Sequence, residues 1–345
     1  MVERILFIVN YSSATGRSEA EIDRLHGILR EALGPRTDLR VEAVEGHRQA
    51  RAQTRAFLAA ADASALVIAG GGGGTLRAVI EGICADSEAG DLPGQERVRV
   101  AALRMGSGNV LARQFGVARD PEAGLKGIVM NLLADRVAPC CVMRYEVDGK
   151  NTAVKICHAA TLAGFGAFGR VPRDLERWHS RLPSLHKLSA WLLGVERLTR
   201  MEYFFTLLVR SAWYALRPKA VQTLEIRTGE HAESMRVVAG AVVNFAFDAL
   251  PFAPGVRAED AALSLILFPY QGRCASLLLA LSPCHLARKA LQIRIADADL
   301  VELCLAHRDA ADFFLDEDPM VFHDRIRIQI AGTLAFVPGS DYRWP

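Results

Sequence analysis

The chain lacks any run of ~18 to 20 uninterrupted apolar residues, so no membrane-spanning helix is expected. It also lacks a C-x-x-C spacing. Its seven cysteines, Cys84, Cys140, Cys141, Cys157, Cys274, Cys284 and Cys304, are scattered and odd in number, which argues against a zinc module or a disulfide framework and predicts reduced, mostly buried thiols. Net charge is only +2, which gives no reason to expect nucleic acid as a partner, although arginine far outnumbers lysine. The apolar run at 5–9 is too short for a signal peptide and is followed by no small-residue cleavage site. A cytoplasmic protein is therefore expected, with peripheral contact at the inner membrane left open. There is neither an internal repeat nor a low-complexity linker.

What is present suits a large globular core. Hydrophobic residues are 51% of the chain and charged residues 23%. A length of 345 residues predicts two domains at roughly 150 residues each. The first third alternates strand and helix patterns: apolar runs at 5–9, 39–44, 65–69 and 98–103, with helical spacing over 22–33, 49–61, 110–115 and 122–133. Such alternation predicts an α/β domain with a parallel sheet and right-handed crossovers over residues 1–136. From 137 to 345 shorter β-type runs predict a mainly antiparallel, β-sandwich-like domain: 141–147, 153–160, 204–209, 221–226, 237–244, 263–267, 311–315, 326–330 and 334–337. Helices are expected at 185–200 and 275–291, and the last strands are free to pack back toward the first domain.

The centre of this pattern is Gly70-Gly71-Gly72-Gly73-Gly74-Thr75, set between the apolar run at 65–69 and a helical stretch from Leu76. A strand ending in glycines and turning into a helix directs several backbone N–H groups at one spot, with the positive end of the helix dipole behind them. Glycine is required where a Cβ would hold a phosphate off the backbone. One or two glycines would suit a flexible loop or a plain tight turn; five, followed by threonine, predict an anion site. Two other turns, at 10–18 and 106–109, also follow strands, so all three are expected at the carboxyl edge of the sheet, where open parallel sheets bind ligands.

Six segments in order resemble the diacylglycerol kinase catalytic-domain family, which includes bacterial lipid kinases and the sphingosine and ceramide kinases and shares its fold with NAD kinases. The family's N-P-x-S-G turn is similar to Asn10 through Gly16, with Ser13 and Thr15 inside it. Its G-G-D-G-T is similar to Gly71-Gly72-Gly73-Gly74-Thr75, and its P-x-G-[ST]-x-N to Arg104 through Asn109, including Gly106 and Ser107. Its small-residue turn resembles Gly164-Phe165-Gly166, its D-G segment Asp260-Ala261, and its D-G-E-P Asp316-Glu317-Asp318-Pro319. The resemblance spans nearly the whole chain and implies ATP in a cleft between two domains, Mg²⁺, and phosphorylation of a lipid hydroxyl met at a membrane surface; it leaves a homodimer open. It implies that Asn10, Ser13, Thr15, Gly16, Arg17, Gly71, Gly72, Gly73, Gly74, Thr75, Gly106, Ser107 and Asn109 bind nucleotide. Asp316 and Asp318 would be the base candidates, and Asp260 would belong to the Mg²⁺ site.

The departures fall on polar and turn residues. The aspartate of G-G-D-G-T is Gly73, the glycine and glutamate of D-G-E-P are Glu317 and Asp318, and the prolines of the first and third loops are Tyr11 and Arg104. Loss of a positioned acid–base group commonly costs ~10² to 10⁴ in rate. The pattern is compatible with a nucleotide- or lipid-binding pseudokinase in a regulatory or carrier role, and equally with a shifted substrate or a rearranged base.

Other features have plain readings. Gly164, Gly166 and Gly169 satisfy G-x-G-x-x-G, but without a following strand that ends in an acid they predict a tight turn rather than a dinucleotide fold. Asp312, Asp316, Glu317, Asp318 and Asp324 form an acidic run that alone would read as a solvated turn. Cys157-His158 and Cys284-His285 put adjacent side chains on opposite faces of a strand, which predicts packing rather than metal ligation. The aromatic and basic stretch from Trp178 to Trp213 fits either a lipid-facing surface or an ordinary amphipathic helix covering a core.

Overall fold

The computed structural model describes all residues except 1, 12–17, 61–62, 86–96, 107–108, 149–152, 182, 184–194, 230, 246–255, 275, 277–289, 297–298, 307–309, 317 and 345, and describes 195–200 and 215 by backbone alone. It divides into two compact units, residues 1–142 with 331–345, and residues 143–330.

In the first unit, strands β1 (Arg4–Asn10), β2 (Asp38–Val44), β3 (Ala65–Gly71) and β4 (Val98–Arg104) form a parallel sheet. The end of β15 (Arg325–Phe336) joins it beside β4, again parallel, giving the order β15-β4-β3-β1-β2. β3 is buried throughout, as a strand covered on both faces requires, whereas β2 at the edge alternates. Helices α1 (Glu19–Leu33), α2 (His47–Ala59), α3 (Gly73–Ile83), α4 (Val110–Gln114) and α5 (Pro121–Leu133) cover the sheet. α1 and α5 start where their caps dictate: Ser18 Oγ accepts from Glu21 N and Asp120 Oδ2 from Ala123 N. The segment after β15 is held by Asn131, whose Nδ2 donates to the carbonyls of Pro338 and Gly339, both at 3.0 Å. Phe115 stacks between Phe336 and Tyr342, with centroids at 4.2 and 5.7 Å.

The second unit is mainly antiparallel. Its strands are β5 (Ala138–Val147, which enters from the first unit), β6 (Lys155–Ala159), β7 (Leu162–Gly166), β8 (Gln222–Thr228), β9 (His231–Val243), β10 (Ala262–Pro269), β11 (Leu291–Ala296), β12 (Val301–Leu305), β13 (Ala311–Leu315), β14 (Asp318–Phe322) and the start of β15. They run β14-β13-β7-β9-β8-β12-β15, with β10 and β11 branching from β9 and β6 from β5. The long β9 allows this branching: its first half pairs with β8 and its second half lies between β7 and β10.

The runs at 326–330 and 334–337 prove to be parts of one strand, β15. The strand expected at 204–209 is instead the middle of helix α7 (Val195–Leu216), and a further helix, α6 (Val171–Arg181), precedes it. A six-residue apolar run is ambiguous between the two structures; the 22-residue length of α7 allows it to continue the helical pattern on either side. The helix expected at 275–291 lies almost wholly outside the described residues, and its last residue begins β11.

Candidate nucleotide site and the aspartate turns

The glycine turn sits at the carboxyl edge of the parallel sheet. Gly70 pairs with Val9 on one side and Leu103 on the other, so Asn10, Gly71 and Arg104 end their strands on one row. Gly72 is extended at φ −88° and ψ −169° and is the N-cap of α3, with no side-chain cap. Thr75 N and Leu76 N make the first helical bonds, both to Gly72 O, at 3.1 and 3.2 Å. The N–H groups of Gly73 and Gly74 therefore lie ahead of the helical ladder, at the positive end of the helix dipole. α3 is buried from Thr75 to Ile83, while Gly72, Gly73 and Gly74 are half-buried, so solvent meets this helix at its glycine end.

Two close contacts fix the shape of the turn. A Cβ on Gly106 would lie 2.3 Å from Gly72 Cα, and one on Gly71 would lie 2.3 Å from Thr75 Oγ1. Thr75 Oγ1 accepts from Asn10 Nδ2 at 3.0 Å, which ties the end of β1 to the start of α3. Asn109, left-handed at φ 49°, closes the third loop by accepting from Gly106 N at 3.0 Å and donating from Nδ2 to Gly106 O. Of the residues expected here, Asn10, Gly71 to Thr75, Gly106 and Asn109 come together; Ser13, Thr15, Gly16, Arg17 and Ser107 lie outside the described residues. Asn10 and Asn109 hold the loops in place, and the backbone N–H groups remain as the donors to an anion.

A charged cluster buttresses the same helix. Arg77 and Glu81, one turn apart on α3 and both buried, pair at 3.1 Å, and His47 Nε2 of α2 reaches Glu81 Oε2 at 2.8 Å. Burial alone would raise the Glu81 carboxyl; the hydrogen bond from His47 and the charge and hydrogen bond of Arg77 outweigh it and hold it at about 2. Burial, reinforced by the Glu81 charge, pushes the nearby Cys84 thiol up to about 12, which makes it inert. The sequence signal for this cluster was an Arg–Glu pair at i,i+4 in an otherwise apolar helix.

The aspartates of the second unit differ from one another. Asp316 occupies the two-residue turn between β13 and β14 at φ 45°, a left-handed conformation that aspartate tolerates. It is 1% exposed. Its Oδ2 accepts from Ala160 N at 3.1 Å; its Oδ1 accepts from Thr161 N at 3.1 Å, from Leu162 N at 3.0 Å and from the Thr161 hydroxyl. Four donors match the ~four lone-pair sites of a carboxylate. Asn244, also buried, secures the same β6–β7 link by donating to Ala160 O, a role with no signal in the sequence. Asp318, the first residue of β14, is half-buried. Asp260 Oδ2 accepts from Arg257 N at 3.1 Å and so closes the turn ahead of β10. Asp312 pairs with Arg173 at 2.5 Å and Arg170 at 3.4 Å, so the acidic run of the sequence is distributed over distinct contacts. Among the described residues no three His, Cys, Asp or Glu gather as a metal cluster. Gly164 and Gly169 are packing glycines, since a Cβ would meet the Phe314 ring at 2.2 Å and Asp312 O at 2.4 Å respectively.

Residues 4–138 match the family model of the diacylglycerol kinase catalytic domain. The fold is similar to that of a putative diacylglycerol kinase from Bacillus anthracis str. Sterne (TM-score 0.66, 16% identity, 99% of each chain covered). A second diacylglycerol kinase structure from that organism gives a TM-score of 0.60 at 15% identity, covering 99% of this chain and 98% of the other. Yeast NADH kinase complexed with NADH gives 0.51 at 10% identity, covering 99% and 84%. No curated protein matches the chain. With its glycine turn at the carboxyl edge of a parallel sheet, the segment 4–138 is similar to the diacylglycerol kinase catalytic domain.

Proposed function

We propose that this chain binds ATP at the β3–α3 turn and transfers the γ-phosphate to a lipid hydroxyl, as a lipid kinase of the diacylglycerol kinase type. The observation that carries the reading is the cradle itself: Gly106 lies so close to Gly72, and Gly71 to Thr75, that a Cβ on Gly106 or Gly71 would be driven into that neighbour, and the half-buried Gly73 and Gly74 start a helix that has no side-chain cap. Such a turn suits phosphate oxygens. The match of residues 4–138 to the diacylglycerol kinase catalytic-domain model supports phosphoryl transfer as the chemistry. Mg²⁺ is commonly held by one or two carboxylates with substrate phosphates and water; Asp260 fits as one carboxylate donor, and the ion would neutralise charge on the transferring group. Because the Asp316 carboxylate is engaged by four donors, the proposal assigns the proton-accepting role to Asp318 and gives Asp316 the task of holding the β6–β7 link. The test is incubation of the purified chain with Mg-ATP and diacylglycerol, sphingoid bases or a total lipid extract; absence of phosphorylated lipid above background rejects the reading.

A second reading, a pseudokinase that binds nucleotide without transfer, is favoured by Gly73, which leaves the first turn of α3 without an acid. Calorimetric ATP binding with no turnover on any lipid would select it.

A further inference from the structure

The outward face of α7 is apolar. Along this helix Met201, Phe204, Phe205, Val209 and Leu216 are exposed, Phe205 at 56% and Leu216 at 63%. The inward side packs Leu207, Trp213 and Tyr214 with Ala167, Val221, Val238 and Ala239, and also carries Thr206 at 1% and Ser211 at 7% exposure, with Arg210 bound to the buried Asp174. A helix that only covered its own domain would turn polar residues outward, not a second apolar stripe. α6 lies antiparallel beside it, as the pairs Asp174–Arg210, Trp178–Phe205 and His179–Glu202 require. Trp178 extends the apolar stripe, with its ring centroid 5.9 Å from that of Phe205 and the residue 38% exposed. From Met201 to Leu216 the stripe runs ~22 Å at the helical rise.

The charges beside the stripe identify its occupant. Arg177, Arg181, Arg217 and Lys219 are exposed around it. Of the acids on α6 and α7 whose side chains are described, Glu176 is exposed, Asp174 is buried with Arg210, and Glu202 is bound to His179. A second copy docking by the same face would bring like charges together, whereas anionic headgroups would complement them. No helix among the described residues is long and apolar enough to cross a bilayer, so the fitting geometry is a helix lying in the interface.

We infer that α6 and α7 form a membrane-docking face, with α7 in the plane of an anionic bilayer, its aromatic and aliphatic side chains at the headgroup–acyl boundary and the arginines toward the phosphates. This deepens the lipid kinase reading by naming where the acceptor is met, but the geometry does not depend on nucleotide chemistry. The experiment is co-sedimentation of the full chain with phosphatidylcholine vesicles, with and without phosphatidylglycerol, in the absence of ATP, so it can succeed or fail whatever the kinase assay shows. Binding at least ~10-fold tighter to the phosphatidylglycerol vesicles is expected. Phe205→Glu with Val209→Glu should lower binding by ~10-fold or more, and Arg177→Glu with Arg181→Glu should abolish the preference for phosphatidylglycerol. All four residues are exposed, so the unfolding midpoint should be unchanged. As a second readout without a charge change, quenching of tryptophan emission by brominated lipid should fall in Trp178→Phe. Wild-type binding and quenching by these variants overturns the inference. So does absence of vesicle binding together with a self-associating wild type that the Phe205/Val209 variant makes monomeric, which would assign the face to a second copy.

Discussion

The β3–α3 turn and the β13–β14 turn are chemical opposites. The first presents backbone N–H donors and carries no acid, because Gly73 stands in the first turn of α3. The second carries a carboxylate whose donors are already supplied by the backbone at Ala160, Thr161 and Leu162. Backbone donors at the start of a helix suit an anion; a carboxylate held by four donors is part of the frame. The comparison separates Asp316 from Asp318, which lie two residues apart in the chain and would be given one role by a motif alone.

The largest effect that sharpens this contrast concerns Asp318. Asp318→Asn should lower lipid phosphorylation by ~10² to 10⁴-fold while costing less unfolding free energy than Asp316→Ala. Asp316→Ala should do the reverse, since it leaves three buried N–H groups and a hydroxyl without an acceptor at ~1 to 3 kcal/mol each. A loss of at least ~3 kcal/mol in the urea unfolding free energy is expected, and Asp316→Asn should lose less. If Asp316→Asn instead abolished turnover with stability intact, the two roles would have to be exchanged.

The acid response of the first unit follows from Glu81. Its folded pKa of about 2 lies below its ordinary value of 4.5, so its contribution is fully present above pH 4.5 and is lost as pH falls toward 2. A shift of this size corresponds to ~3 kcal/mol. Unfolding followed across that window should show the slope, and Glu81→Gln should flatten it.

Smaller effects probe the cradle. Gly106→Ala forces a methyl against Gly72 Cα; overpacking should lower the unfolding free energy by ~1 to 3 kcal/mol, and displacement of the turn should weaken ATP binding by calorimetry. Gly73→Asp places an acid at the start of an uncapped helix and should stabilise the fold by ~0.3 to 1 kcal/mol in thermal melts. Lipid-kinase turnover in that variant should stay unchanged if Asp318 is the base, and a large rise would move proton acceptance to α3.

How much of this was legible in the sequence depended on range. The strands around the glycine turn announced themselves because a two-sided parallel sheet needs continuous apolar runs, as in β1 and β3. The turn was legible because five glycines have few alternative uses. The Asp316 contacts were not, because they join positions more than 150 residues apart and leave no local pattern. The run at 204–209 misled for a different reason: hydrophobicity alone suggests burial, and Phe204, Phe205 and Val209 are exposed. The signal there was periodicity, with Met201, Phe205, Val209 and Leu216 falling on one helical face.

The return of β15 into the first sheet has a consequence for biosynthesis. Asn131 makes contacts 207 and 208 residues later in the chain, and β4 has Ala335 and Phe336 as its neighbours on the side away from β3. A ribosome that has released the first 142 residues has therefore delivered the glycine turn but not the strand and tail that complete its sheet. The unit that is first in sequence cannot complete its sheet until residues 331–345 have emerged, and until then β4 offers an open edge to any other strand in reach.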